Sequence, residues 1–271
     1  MIEKDTTYVV MGLLDPDSIA FAIGQTIEQL GGKVVYTVQN ERMKRLFFDR
    51  SKKLEKEDKE KLDIKFCDIL VDEEVKTLFD EIGPIGGVVH SIAFANPKTC
   101  LGDEFHTDAY DDLKSGFHIS AVSLATVTRY AQPHMKDGGS VVALTFASQL
   151  AFPYYNWMGV NKAALEAVVR GLARRHGRDR VRINAVSAGP IFTKAAKAIP
   201  GFSELSNTWS RCSPLPWGTA EVDTQEVAKA AAFLVGSSSK MVTGQVLYVD
   251  GGASVIGGEL LEHERAGGSE G

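Results

Sequence analysis

Tyr155 and Lys162 are the residues whose types and spacing could do chemistry. They stand seven positions apart, at the start of a helical pattern that runs to about His176. Two helical turns would put them on nearly one face, about 10.5 Å apart along the axis. A phenol can give up a proton, and a nearby ammonium favours the phenolate, so the proton leaves more easily. The lysine also offers donors to the hydroxyl groups of a ligand lying between the two. A Tyr and a Lys at this spacing also occur on ordinary surface helices, so the surrounding elements must decide. Tyr154 would point about 100° away on such a helix and reads as packing or surface.

The surrounding elements alternate. Apolar, β-type runs fall at residues 8–11, 34–38, 64–69, 87–92, 141–146, 181–187 and 246–249. Between them lie helical patterns: one from Ser18 with Ile19, Ile23, Ile27 and Leu30 on a stripe ending at Gly31-Gly32, then 72–82 capped by Asp72, 110–135, 155–176 and 224–235. The charged stretch 41–61 reads as a solvated helix face and turn. Strands that are nearly continuous apolar runs are covered on both faces. The fold class is α/β: a Rossmann-type doubly wound parallel sheet flanked by helices, with no repeat and no linker. One domain is expected over 1–256, followed by a polar, Gly-rich tail at 257–271 whose end should be disordered.

Composition narrows the class. The 271 residues are 44% hydrophobic and 24% charged, as in a water-soluble globule. The net charge of −5 argues against nucleic acid as the main partner. No apolar run reaches the length of a membrane span, and the first residues lack a signal-peptide layout. Cys67, Cys100 and Cys212 are scattered and odd in number, so three reduced thiols in the cytoplasm are expected. His90, His118 and His134 lack metal-ligand spacing, and no metal is expected.

Ligands of such sheets bind at the carboxyl ends of the strands. The first strand-to-helix loop runs from Gly12 to Ser18-Ile19-Ala20 and lacks the G-x-G-x-x-G pattern. A helix start at Ser18 suits a pyrophosphate, and a plain capped turn fits the loop as well. Gln39 ends the second strand and can bond ribose hydroxyls without charge, which favours NADH. Arg42, Lys44 and Arg45 just beyond keep NADPH open. Asp68 could accept from an adenine amine or cap a turn. Ser91-Ile92-Ala93 offers close backbone approach and an apolar wall.

The chain resembles the short-chain dehydrogenase/reductases, and among them the bacterial-type NADH-dependent enoyl-[acyl-carrier-protein] reductases. The resemblance rests on the Gly12…Ser18-Ile19-Ala20 loop, Gln39-Asn40, Cys67-Asp68-Ile69, His90-Ser91-Ile92-Ala93-Phe94 and His118-Ile119-Ser120. It continues through Tyr155-Asn156-x-Met158-x3-Lys162, Ser187-Ala188-Gly189-Pro190-Ile191-x-Thr193 and Val249-Asp250-Gly251-Gly252. The commoner short-chain pattern has Tyr four residues before Lys, where this chain has Met158, and no Ser lies 12 or 13 residues before Tyr155. The Phe146 to Tyr155 spacing and the Tyr-Asn-Trp-Met run are most like the mycobacterial enoyl reductases. Ala93 replaces a frequent Gly, and Phe192-Thr193-Lys194-Ala195 replaces the usual Arg-Thr-Leu-Ala.

The resemblance implies reduction of the trans-2 double bond of an enoyl thioester, carried on acyl-carrier protein or CoA, by a homotetramer. It gives Tyr155 the enolate oxygen and Lys162 the nicotinamide ribose. It makes Gly12, Ser18, Ile19, Gln39, Asp68, Ile69, Ser91, Ile92, Ala93, Ile119, Ile191 and Thr193 the other cofactor residues. Phe94, Phe146 and Met158 join Tyr155 at the substrate, although Phe146 also fits an ordinary core position. Residues 194–216, with Phe202, Leu205 and Trp209, read as a cover over an acyl tunnel or as a surface helix. Phe192 and Lys194 leave room for a different short-chain reductase acting on a ketone or a CoA-linked enone. A non-catalytic dinucleotide-binding protein is the third reading.

Overall fold

A computed structural model describes residues 1–261 of the protein. Seven parallel strands form one sheet: β1 Thr7–Met11, β2 Lys33–Val38, β3 Asp63–Phe66, β4 Gly87–His90, β5 Gly139–Thr145, β6 Val181–Ala188 and β7 Val246–Val249. Their spatial order is β3-β2-β1-β4-β5-β6-β7, so the strand order switches between β1 and β4. Met11 pairs with Thr37 on one side of β1 and with His90 on the other. The crevice outside the carboxyl ends of β1 and β4 is therefore where a ligand is expected.

Alternation along each strand feeds two cores. Tyr8 and Val10 face α1 (Ile19–Gln29) and α9 (Ala220–Val235), packing with Ile23, Ile27 and Val227. Val9 and Met11 face the other layer, α4 (Asp72–Ile82), α6 (Ser123–Ala131) and α7 (Asn156–His176), with Leu124, Leu165 and Val169. Helix α1 ends in a Schellman cap: Gly31, at φ 95°, donates to the Glu28 carbonyl and Gly32 to that of Ile27. Ile23 and Ile27 of the expected stripe are fully buried, while Leu30 at its end is exposed.

Several boundaries differ from expectation. β3 stops at Phe66 and β4 at His90, which leaves Cys67 to Ile69 and Ser91-Ile92 in loops at the carboxyl ends. Val71, not Asp72, is the cap of α4, and Asp72, Glu73 and Glu74 fill its first turn. That places three carboxylates at the positive end of the helix dipole. The expected long helix 110–135 is α5 (Tyr110–Phe117), a π-type stretch His118–Val122, α6 and a final 3-10 turn Gln132–His134. The charged stretch 41–61 is a solvated face only in part. It folds into α2 (Glu41–Met43), a π-type stretch Lys44–Asp49 and α3 (Lys56–Glu60), and it buries Phe48 completely. The three cysteines are free thiols, with Cys67 and Cys100 buried. Among the described residues no helix is long and apolar enough to cross a membrane. Of the expected tail, residues 262–271 lie outside the described residues.

Candidate active site

At the strand switch lies a cavity of about 590 Å³. Ser91, Ile92 and Ala93 line it from the loop after β4, Leu144, Thr145 and Phe146 from the end of β5, and Ile191 and Thr193 from the loop after β6. Phe202 and Leu205 of α8 (Phe202–Cys212) close it from above. Both are buried, together with Trp209, whose indole N–H donates to the Asp250 carbonyl (2.9 Å). The apolar side of this helix is thus a roof over the cavity, and Ser213 is its C-cap.

Tyr155 and Lys162 both line this cavity, but not as residues of one helical face. Helix α7 begins at Asn156, and Tyr155 is the residue before it. Tyr154 and Asn156 have positive φ, 65° and 21°, so the backbone turns sharply on both sides of Tyr155. Side chains other than glycine rarely adopt this region, and such strain clusters at functional sites. Tyr154 does not point away on a helix; its hydroxyl donates to Glu204 of α8 (2.6 Å). The Tyr155 ring packs on Phe146 with centroids 4.7 Å apart, and Phe146 packs in turn on Phe152 and Trp209.

The expected lowering of the tyrosine by the lysine is absent. Burial pushes the Tyr155 phenol above its usual range, which keeps it a neutral O–H donor. The Lys162 ammonium is held elsewhere: it is buried and donates to the Leu144 carbonyl (2.8 Å). Burial lowers its pKa to about 8, against the opposing pull of Glu166. An ammonium has three donors, and among the described residues one of them is used, on Leu144.

The other expected residues separate into groups. Ile19, Phe94 and Met158 line the cavity as well. Ser18 caps α1, its Oγ accepting from the Phe21 N–H (3.2 Å). Gly12 has φ 93°, and a Cβ there would stand 2.2 Å from the Ser91 carbonyl oxygen. Only glycine lets β1 pass this close to the loop after β4. Gln39 and Asp68 lie instead in a neighbouring open groove, where the Gln39 amide donates to Asp68 (2.9 Å). Ile69 is buried in the core under α4, and Ile119 packs against that core.

The sequence reading missed Met43, Phe47, Leu101 and Glu166. The first three line the cavity, and Glu166 is buried beside it. Met43 and Phe47 carried a faint signal, two apolar residues four apart inside a charged stretch. Among the described residues no cluster of His, Cys, Asp and Glu is placed to hold a metal ion.

The profile of the family described as enoyl-(acyl carrier protein) reductase matches residues 12–254. The chain belongs to this family. A relative from Staphylococcus aureus, strain MRSA252, named enoyl-[acyl-carrier-protein] reductase [NADPH], is 39% identical over 93% of this chain and 98% of its own. The Bacillus subtilis enoyl-[acyl-carrier-protein] reductase [NADH] is 36% identical over 90% of this chain and 94% of its own. The Mycolicibacterium smegmatis enoyl-[acyl-carrier-protein] reductase [NADH] is 37% identical over 91% and 95%. Among solved structures, the Bacillus cereus enoyl-acyl carrier protein reductase with NADP+ and indole naphthyridinone superposes with a TM-score of 0.83. It is 35% identical and covers 94% of this chain and 99% of its own.

Within this enoyl reductase family, two departures of the chain acquire a place. Lys194 sits over the Phe47 ring (5.2 Å) and pairs with the buried Asp15 (3.5 Å), tying the loop after β6 to the first strand-to-helix loop. Phe192 packs edge-on against Phe202, with centroids 5.0 Å apart.

Proposed function

We propose that the protein is an enoyl-thioester reductase of fatty-acid synthesis, acting on the trans-2 double bond of an enoyl-acyl-carrier protein or enoyl-CoA with NADH. The observation that carries this reading is the meeting of Tyr155 and Lys162 in one apolar cavity at the strand switch of an enoyl reductase chain. The cavity suits a dinucleotide. Gly12 lets the first strand-to-helix loop pack directly on Ser91 at the cavity edge, Ser18 opens α1 beside the crevice, and the Lys162 ammonium has donors to spare among the described residues.

When bound, the dihydronicotinamide supplies the hydride that adds to the β-carbon of the substrate. Negative charge then gathers on the thioester oxygen as an enolate, which is discharged when the α-carbon takes a proton from water. The Tyr155 hydroxyl, kept protonated by burial, donates to that oxygen, and a donor of this kind stabilises the transition state by roughly 3–4 kcal/mol. Lys162 binds the nicotinamide ribose hydroxyls. Ile191 presses on the nicotinamide ring, and Thr193 holds the pyrophosphate side. Phe94, Phe146 and Met158 form the acyl wall, and residues 194–216 are its cover on a reductase domain spanning 1–256.

NADH is favoured over NADPH because two of the nearby cations are already engaged. Lys44 pairs with Asp49 (2.8 Å) and Arg45 with Glu41 (3.1 Å). A homotetramer is inferred from the family resemblance. Exposed Tyr110 and Phe117 on α5 and Val160 on α7 support it, as apolar residues that a neighbouring copy would cover. A cytoplasmic enzyme fits this reading.

The test is oxidation of NADH and NADPH with crotonyl-CoA, 2-dodecenoyl-CoA and a β-ketoacyl-CoA. Turnover with the enoyl substrates alone is expected, faster with NADH. Turnover confined to the ketoacyl substrate would sink the assignment.

A further inference from the structure

We propose that Glu166 is a positioning residue of this site: one turn beyond Lys162 on α7, it clamps the end of β5 through Thr145 and Ser148 and keeps the lysine charged in the cavity wall. The inference rests on the reading of Lys162 as a cofactor ligand.

Glu166 is a buried carboxylate that no step described above uses; its relative exposure is 4%. Both of its oxygens accept from hydroxyls. Thr145 Oγ1 donates to Oε1 (2.9 Å) and Ser148 Oγ to Oε2 (2.6 Å). Thr145 lies between the two residues that hold the reactive groups. The Leu144 carbonyl before it accepts from Lys162 Nζ, and the Phe146 ring after it packs on Tyr155. Fixing Thr145 to α7 therefore fixes both walls at once. It also explains how a polar strand end survives burial: every group named here has a partner.

The same carboxylate answers the cost of burying an ammonium. A buried lysine favours its neutral form, and a nearby anion opposes that tendency. Burial brings Lys162 down to about 8, and Glu166 pulls it back up. Lys194 lines the same cavity and is paired with Asp15, and three further titratable groups near the pair carry no charge at neutral pH. His90 on β4 is pushed down to about 3, by burial and then by Lys162 itself. Tyr155 before α7 and Tyr248 on β7 are pushed up by burial. Glu166 is thus the anion that acts on Lys162 among the described residues.

The experiment measures NADH affinity by fluorescence, and kcat/KM for NADH against pH, for the full-length wild type, Glu166→Gln and Glu166→Asp. kcat/KM reports the ionisation of the free enzyme. Wild type should lose it as the pH rises past about 8. Glu166→Gln keeps an acceptor for Thr145 and offers its N–H to the Ser148 oxygen, so it should bind NADH normally in mild acid, and its basic limb should lie about one pH unit lower, the shift that loss of one adjacent charge produces. Glu166→Asp keeps the charge at shorter reach, so its limb falls in between. A folded Glu166→Gln with the wild-type limb, or with an equal loss at every pH, overturns the proposal, because a merely structural role would act without regard to pH. Should Glu166→Gln not fold, Glu166→Asp alone decides: an acid-shifted limb supports the proposal and an unmoved one overturns it. If wild type itself does not bind NADH, the reading of Lys162 has failed beneath the proposal and both fall.

Discussion

The Tyr154 hydroxyl donates to the Glu204 carboxylate across 2.6 Å, joining the loop that presents Tyr155 to the helix that roofs the cavity. The Tyr154 ring also lies where a Cβ on Gly201 would be, 2.3 Å from its nearest atom, so the two segments meet with no room between them. The residue beside the proposed donor would thus act as a latch on the proposed cover.

Removing that latch should loosen the roof without touching the chemistry. For Tyr154→Phe we expect KM for a long enoyl thioester to rise roughly two- to fivefold, the scale of one exposed polar contact. The kcat should hold, and protease cleavage within 194–216 should quicken. A drop in kcat at unchanged KM would contradict the latch.

Tyr155→Phe removes the donor and keeps the ring on Phe146. The expected loss in kcat is about 10²- to 10³-fold, with NADH affinity unaltered by titration of cofactor fluorescence. Lys162→Ala should instead weaken NADH binding itself. Crotonyl-CoA reduced by Tyr155→Phe at the wild-type rate would remove this tyrosine from the mechanism.

Gly12→Ala forces a Cβ to 2.2 Å from the Ser91 carbonyl oxygen at a φ of 93°. The backbone conformation alone costs roughly 1–3 kcal/mol, and the collision adds to it. A fall in Tm of at least about 4 °C is expected, with loss of NADH binding. Full affinity at an unchanged Tm would show that this close approach is not needed.

Tyr36 is fully buried, and its hydroxyl has no hydrogen-bond partner among the described residues. An unsatisfied buried hydroxyl costs about 1–3 kcal/mol, so Tyr36→Phe should raise Tm by about 2–12 °C and leave activity alone. Calorimetry showing a lower Tm would mean that the hydroxyl is bonded after all.

The buried phenols also set the alkaline limit. Burial raises Tyr8, Tyr36, Tyr155 and Tyr248, so above about pH 10 the unfolded chain ionises them first and the fold loses stability as pH climbs. Lys162 works the other way. From about 8 up to its ordinary 10.5, the folded chain has shed a proton that the unfolded chain keeps, which adds stability with rising pH. The sum should be a plateau followed by a steep fall in Tm above about pH 10, shallower in Tyr36→Phe. A Tm that keeps rising through that range would refute it.

The sheet was legible because apolar runs such as Val141 to Leu144 admit little else, and the type and spacing of Tyr155 and Lys162 point to one shared ligand, as two residues that line one cavity could have. What brings them together was not. Positive φ at Tyr154 and Asn156 has no glycine to announce it, so the helix seemed to start a residue early. Met43 and Phe47 were hidden because a π-type stretch adds a residue to the turn and rotates the faces that a regular helix would present. Gln39 and Asp68 meet across 29 positions, and Glu166 meets Ser148 across 18, distances at which side-chain pairing leaves no local pattern.

The cavity draws its wall from Leu14 near one end of the chain and its roof from Leu205 far along it. During synthesis, therefore, no nascent chain can form the pocket until α8 has emerged from the ribosome. A chain released before that point would expose Phe146 and Phe152 with no Trp209 to cover them. Such a fragment should be a client for chaperones or proteases and never a slower enzyme.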